Sequence, residues 1–281
     1  MLTDKDLELS NIKGISEVFN QRIYKYVGYE DAIKYVLIDK NTLKFSSPND
    51  FNDPFDCYEG FVNFSNVPPS ATLDDTAKRL LDRSIVKEAS SRTKQVLNDR
   101  RTRLNFFKEQ KKDYRVSCFS KVYDEVLMWS HYANKHTGVC IGFEFPIDPL
   151  PKDFIVFPVV YKDSVQPFDV YANPFRIILH WIITKSHHWK YEKEVRAIIK
   201  NDSRKLLNDG NNYYYVIEKD WIKEIVFGCK VSDKVVEKTI KLIRKNGFKN
   251  ILIKRMFINP DNFSLEENII ADIQNYKNKV K

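Results

Sequence analysis

Two carboxylates one residue apart, Glu192 and Glu194, lie just before Arg196 in the segment HWKYEKEVRAIIK (188–200). Val195, Ala197, Ile198 and Ile199 suit a strand. On a strand, side chains alternate with period two, so Glu192, Glu194 and Arg196 would project from one face. Tyr191, Val195, Ala197 and Ile199 would then face a core. Two carboxylates at that spacing repel each other unless a cation lies beside them, and Arg196 supplies one that keeps at least one Glu ionised. An ionised carboxylate in a cleft can stabilise a developing positive charge or accept a hydrogen bond from a ribose hydroxyl. The same residues also fit an exposed helix with a Glu192–Arg196 ion pair at i, i+4.

A second concentration of functional side chains is RVSCFSKVYDEVLMWSHYANKHTGVCIGFEF (115–145). It reads as a strand over 116–120, a helix over 124–132, a stop at Gly138 and a strand over 139–145. Ser117, Ser120, Trp129, Ser130, His131 and Tyr132 collect around its turns, where function gathers on a rigid scaffold. The plainer reading is a strand–helix–strand core plugged by Trp129. A third stretch, SSPNDFNDPFD (46–56), repeats Asp at 50, 53 and 56. The spacing invites a metal, but Asn-Asp-Pro is turn chemistry. Phe51 and Phe55 are expected to anchor the loop, which could then wall a pocket. No His or Cys spacing matches a metal motif, and no metal is expected.

The elements that must position these residues follow from the rest of the chain. Strands are expected at 23–27, 43–45, 154–162 with a break at Pro158, 213–217, 222–227 and 250–258. Helices are expected at 30–39, 173–184, 232–246 and 264–276. Strands with scattered helices and no regular βαβ alternation predict an α+β fold with mostly antiparallel central sheets. Residues 1–22 read as a lead-in, and 23–281 as one domain with a helical insertion at about 70–113. The 281 residues carry a formal net charge of +8, which favours acidic partners: nucleic acid, nucleotide phosphates or an acidic antitoxin-like protein. Lys108–Lys112 and Lys241–Lys245 read as solvated helix faces. Cys57, Cys118, Cys140 and Cys229 read as reduced thiols of a cytoplasmic protein, with Cys118 and Cys140 in the core. No apolar stretch approaches the roughly 18 residues of a membrane helix, so no membrane is expected.

The order YKY (24–26), FSSPNDFNDPFD (45–56), SCFS (117–120), MWSHYANKHTGVCIGFEF (128–145), YEKEVR (191–196) and IVFGCKVS (225–232) resembles an uncharacterised bacterial family. That family is catalogued as a domain of unknown function, and its members sometimes occur among phage-defence and toxin genes. A more distant likeness is to ADP-ribosyltransferases. These present a basic residue on a first strand, a Ser motif on a middle strand and a Glu-x-Glu on a later one. Tyr24–Lys25–Tyr26, Ser117–Cys118–Phe119–Ser120 and Glu192–Lys193–Glu194 follow that order. The likeness implies an ADP-ribosyltransferase-like fold, NAD as substrate, and a protein or nucleic-acid acceptor. Glu194 would steady the oxocarbenium-like transition state and Glu192 would orient the acceptor. Lys25 would face the pyrophosphate, with Tyr24 or Tyr26 on the adenosine side. Ser117 would brace the Glu, and Trp129 or Tyr132 would stack on nicotinamide. Ser120 and Arg196 complete the cofactor-binding set. The chain departs from the pattern in its SCFS motif and its FNDPFD loop.

Two other functions fit the residues. Basic and aromatic residues interleave at Tyr24–Lys25–Tyr26 and His188–Trp189–Lys190–Tyr191, which suits nucleic-acid binding or processing. A non-catalytic module of a defence complex, binding a small ligand or a partner, fits as well.

Overall fold

The computed structural model describes residues 21–38, 40–63, 101, 105, 108–109, 111–146, 154–169, 180–210 and 212–273. Its strands, in chain order, are β1 (Ile23–Val27), β2 (Thr42–Phe45), β3 (Val62–Asn63), β4 (Tyr114–Ser120) and β5 (Val139–Phe143). Next come β6 (Phe154–Pro158), β7 (Val160–Lys162), β8 (Phe168–Asp169), β9 (Thr184–Ser186) and β10 (Glu194–Lys200). The last are β11 (Leu206–Asp209), β12 (Asn212–Val216), β13 (Ile222–Phe227), β14 (Leu252–Ile258) and β15 (Leu265–Asp272). The described residues within 1–46, 115–159 and 188–281 cluster as one compact unit, and those within 47–114 and 160–187 as a second.

The first unit is built on an eight-stranded sheet in the order β15-β14-β13-β5-β1-β4-β10-β6. The β1–β4, β1–β5, β5–β13, β6–β10 and β14–β15 pairs are antiparallel, whereas β13 and β14 run parallel. The helix Asp233–Lys245 makes the crossover between β13 and β14. Its buried Val236, Thr239, Ile240 and Ile243 recur at helical spacing, which lays one apolar stripe against the sheet. Phe119, Ile141, Phe143, Val195, Ala197, Ile199, Ile225 and Phe227 belong to the same cluster. Each of the Val, Ile and Phe side chains stabilises the fold by about 1.5–3 kcal/mol when fully buried. A second cluster gathers Tyr24, Tyr26, Met128, Trp129, Ala133, Cys140, Val226 and Met256. All five residues of β5 are buried, as befits a β-branched and aromatic central strand covered on both faces. A separate sheet, β11-β12-β2, completes this unit. The second unit holds two short parallel pairs, β3–β8 and β7–β9.

The expected mixture of helices with mostly antiparallel strand pairing is what forms among the described residues, with fewer helices than the sequence suggested. Three local expectations are corrected. Residues 265–272 are a strand rather than a helix, because Asn259 turns the chain. Its Oδ1 accepts from the backbone of Asp261 and Asn262, and its N–H donates to the Ser264 carbonyl. The edge of β14 then takes β15 as a partner, which outweighs the local helical spacing. Thr184 lies in β9, while residues 173–179 of the expected helix lie outside the described residues. Phe55 is 53% exposed and packs edge-on to Tyr58 at 5.6 Å instead of anchoring its loop. Most of the expected insertion at 70–113 and residues 1–20 of the lead-in also lie outside the described residues.

Candidate functional site

The acidic pair is divided by the backbone. His187–Glu192 forms a 3-10 turn, Lys193 takes φ 43°, and β10 begins only at Glu194. Strand alternation therefore places Glu194 and Arg196 on one face and leaves Glu192 off the strand, correcting the expected three-residue face. The alternative of an exposed helix is not formed. Arg196 holds both Glu194 oxygens, with Nε 2.7 Å from Oε1 and Nη2 3.0 Å from Oε2. Glu194 is 4% exposed and Arg196 0%. A planar guanidinium matched to both carboxylate oxygens is the geometry in which a buried pair offsets its desolvation.

Around this pair stand several of the expected residues. Lys25 Nζ donates to Ser117 Oγ and to the Cys118 carbonyl, each at 3.0 Å. Burial lowers the Lys25 pKa, while Cys118 and Glu194 oppose that shift. Burial, and then Glu194, pushes the Cys118 thiol well up. Ser120 Oγ donates to the Glu192 carbonyl at 2.6 Å, and Tyr132 OH donates to Glu192 Oε1 at 2.8 Å. Lys25, Ser117 and Glu194 thus occupy the adjacent strands β1, β4 and β10.

The expected stacking rings serve the interior instead. Tyr26 OH donates to the Val122 carbonyl at 3.1 Å, and its ring meets Trp129 edge-on at 5.3 Å. Trp129 Nε1 donates to the Tyr123 carbonyl at 2.7 Å. Tyr24, Tyr26 and Trp129 are all buried, and Trp129 presents no face to a ligand from solvent. His188, Trp189, Lys190 and Tyr191 keep partial or full exposure.

Sequence reasoning missed a buried charge network centred on Glu224. Tyr24 OH donates to Glu224 Oε2 at 3.1 Å, and Arg22 Nη1 donates to the same oxygen at 2.7 Å. Lys254 Nζ lies 2.8 Å from Glu224 Oε1 and 2.9 Å from Glu267 Oε2. Burial and then the Glu224 carboxylate push the Tyr24 hydroxyl up. Burial opposes charge on Lys254, yet hydrogen bonds to Glu224 and Glu267 raise its pKa. Gly142 makes room for this network: a Cβ there would meet Arg22 Cδ at 2.8 Å and Glu224 Cβ at 2.9 Å. A charged residue inside the apolar run IKEIVF and a glycine inside a strand were the available signals.

The second unit contains a cavity of about 350 Å³ walled by the FNDPFD loop, with Asn49, Phe51, Asp53, Asp56, Glu59 and Lys111 in its lining and Lys108 at its exposed rim. Lys111, expected on a solvated face, is buried and pairs with Glu59 at 2.7 Å. Asp56 lies 3.6 Å from Lys185 Nζ. Asp53 differs. Its Oδ1 accepts from the Phe55 N–H at 2.9 Å, which sets the turn. Its Oδ2 is buried without a hydrogen-bond partner among the described residues, and the residue is 9% exposed. No group of three His, Cys, Asp or Glu residues is arranged for a metal among the described residues. No described helix is long and apolar enough to cross a membrane.

No curated protein and no solved structure matches the chain. Residues 128–197, which include Trp129, Tyr132, Glu192, Glu194 and Arg196, match a family described as a protein of unknown function (DUF2971).

Proposed function

We propose that the protein is a ligand-binding module whose binding site is the cavity walled by the FNDPFD loop. The observation that carries this reading is Asp53 Oδ2, a buried carboxylate oxygen at the cavity wall that lacks a donor among the described residues. Leaving such a group without a partner costs about 1–3 kcal/mol or more. A ligand bringing an N–H or O–H to Asp53 would recover that energy. Lys111 and Lys185 are engaged by Glu59 and Asp56, so among the described lining residues Lys108 is the cation placed to meet the ligand's anionic or acceptor group. The ligand is therefore a small polar molecule with an amine, guanidinium or hydroxyl donor at one end and a phosphate or carboxylate at the other. The setting proposed for it is a defence or toxin system in which such a molecule acts as a signal. The test is equilibrium dialysis of nucleotides and amino acids against wild type, Asp53→Asn and Lys108→Ala. Binding lost in both variants is the expected result, and binding unchanged in both removes the cavity as the site.

A second reading, an NAD-dependent ADP-ribosyltransferase, is favoured by Lys25, Ser117 and Glu194 on three adjacent strands. In that reading Arg196 must release one Glu194 oxygen to the substrate ribose, and Glu192, held by Tyr132, faces the acceptor. Nicotinamide release by wild type that is lost in Glu194→Gln supports it.

A further inference from the structure

The motif WSHYANKHTG (129–138) contributes a group that neither reading uses. Ser130 Oγ lies 2.9 Å from His136 Nε2, and Cys229 Sγ lies 3.7 Å from His136 Nδ1. All three residues are partly exposed. One assignment of protons satisfies all of these contacts together. The Ser130 hydroxyl has one proton, and Oγ donates it to the Val126 carbonyl at 3.1 Å, which can only accept. With that proton on the Val126 carbonyl, Ser130 Oγ is left to accept from His136 Nε2–H. In the tautomer that this arrangement favours, the imidazole proton is on Nε2 and Nδ1 presents its lone pair to the Cys229 thiol. This is a thiol, a base and an orienting hydroxyl in series, the arrangement that activates a nucleophile.

The histidine is held firmly in place. Asn134, Lys135 and His136 have φ values of 46°, 56° and 71°, a run that side chains with a Cβ rarely adopt. The His136 N–H donates to the Trp129 carbonyl at 3.2 Å, and its own carbonyl accepts from the Lys230 N–H at 3.1 Å. Gly228 leaves the necessary space, since a Cβ there would lie 2.2 Å from the His136 carbonyl oxygen. Burial, and then Lys230, keeps the imidazole pKa below its ordinary value, so the base is neutral near pH 7.

We propose that Cys229 is a nucleophilic thiol for acyl transfer, with His136 as its general base and Ser130 as the residue that positions the imidazole. The sulfur attacks the carbonyl carbon of an ester or thioester, and the S–H proton passes to His136 Nδ1. The tetrahedral adduct expels its alcohol or thiol, which takes that proton from His136, leaving the acyl group as a thioester on Cys229. Water, deprotonated by the same base, then adds to the thioester carbonyl; the C–S bond breaks, the carboxylic acid leaves, and the Cys229 sulfur recovers the proton from His136. Lys230 favours an acyl donor that carries negative charge.

The test uses 4-nitrophenyl acetate on the full chain, with nitrophenolate release followed at early times and the acetylated peptide identified by mass spectrometry. The expected result is a burst of about one equivalent, with the acetyl group on the peptide holding Cys229 and none on Cys118 or Cys140. Cys229→Ala abolishes the burst. His136→Asn, which keeps a residue tolerant of positive φ, slows it by about 100-fold or more. Ser130→Ala slows it less and Ser130→Thr restores it. Melting curves of each variant confirm folding. Acetylation away from Cys229, no acetylation, or an unchanged rate in folded His136→Asn would overturn the proposal.

Discussion

Glu194→Gln is expected to unfold the protein more readily rather than to alter a reaction. The substitution keeps the volume but removes the charge that neutralises Arg196, whose side chain is fully buried. Removing one partner of a buried, two-point ion pair costs about 3–5 kcal/mol, mainly because the remaining charge stays in a low-dielectric interior. For a chain of this size, 1 kcal/mol moves Tm by about 2–4 °C, so a fall of about 6–20 °C is expected. The double variant Glu194→Leu with Arg196→Met removes both charges and should return most of the loss, since apolar replacements of similar volume are often neutral or stabilising. Urea unfolding, followed by the fluorescence of the four tryptophans, reads both variants. If Glu194→Gln lies within about 1 kcal/mol of wild type, or the double variant loses as much as the single, the structural reasoning fails.

Three further outcomes follow from the packing. Gly142→Ala should destabilise by about 1–3 kcal/mol, because its Cβ would meet Glu224 Cβ at 2.9 Å; chemical denaturation measures it. Trp129→Phe removes the donor to the Tyr123 carbonyl and leaves a void, costing about 2–4 kcal/mol by the same assay. His136 is held below its ordinary 6.5 by burial and Lys230, and His180 by burial and Lys162. The folded state therefore binds fewer protons than the unfolded state in that window. Stability is fully present above 6.5 and falls as pH drops toward the folded values. Melting from about pH 7.5 to about pH 5.5 should show this fall, reduced in His136→Asn.

The strands around Tyr24, Ser117, Val139 and Val195 were legible because β-branched and aromatic runs follow one period and end at turn residues. The segment 265–272 misled because its apolar residues fit a helical face, while the edge of β14 demanded a strand. The glutamate pair was legible as a charged unit with Arg196. Its division was not, since a left-handed Lys193 leaves no mark in the sequence that alternation can read. Burial of Trp129 followed the plainer reading of a core plug, and burial of Tyr24 and Tyr26 reflects a sheet covered on both faces. Glu224 was invisible because its partners, Arg22 and Lys254, come from opposite ends of the chain. The Cys229–His136–Ser130 series joins a local pair, Ser130 and His136, to a thiol 93 residues further along the chain, and the close approach at Gly228 brings them together.

The most direct measurement is nicotinamide release from NAD by the purified protein, wild type beside Glu194→Gln, with melting curves for both. A structural Glu194–Arg196 pair predicts no NAD-dependent release in either protein and a lowered Tm in the variant. Release by wild type that vanishes in a Glu194→Gln protein of unchanged Tm would contradict it, and would identify Glu194 as a group acting on substrate.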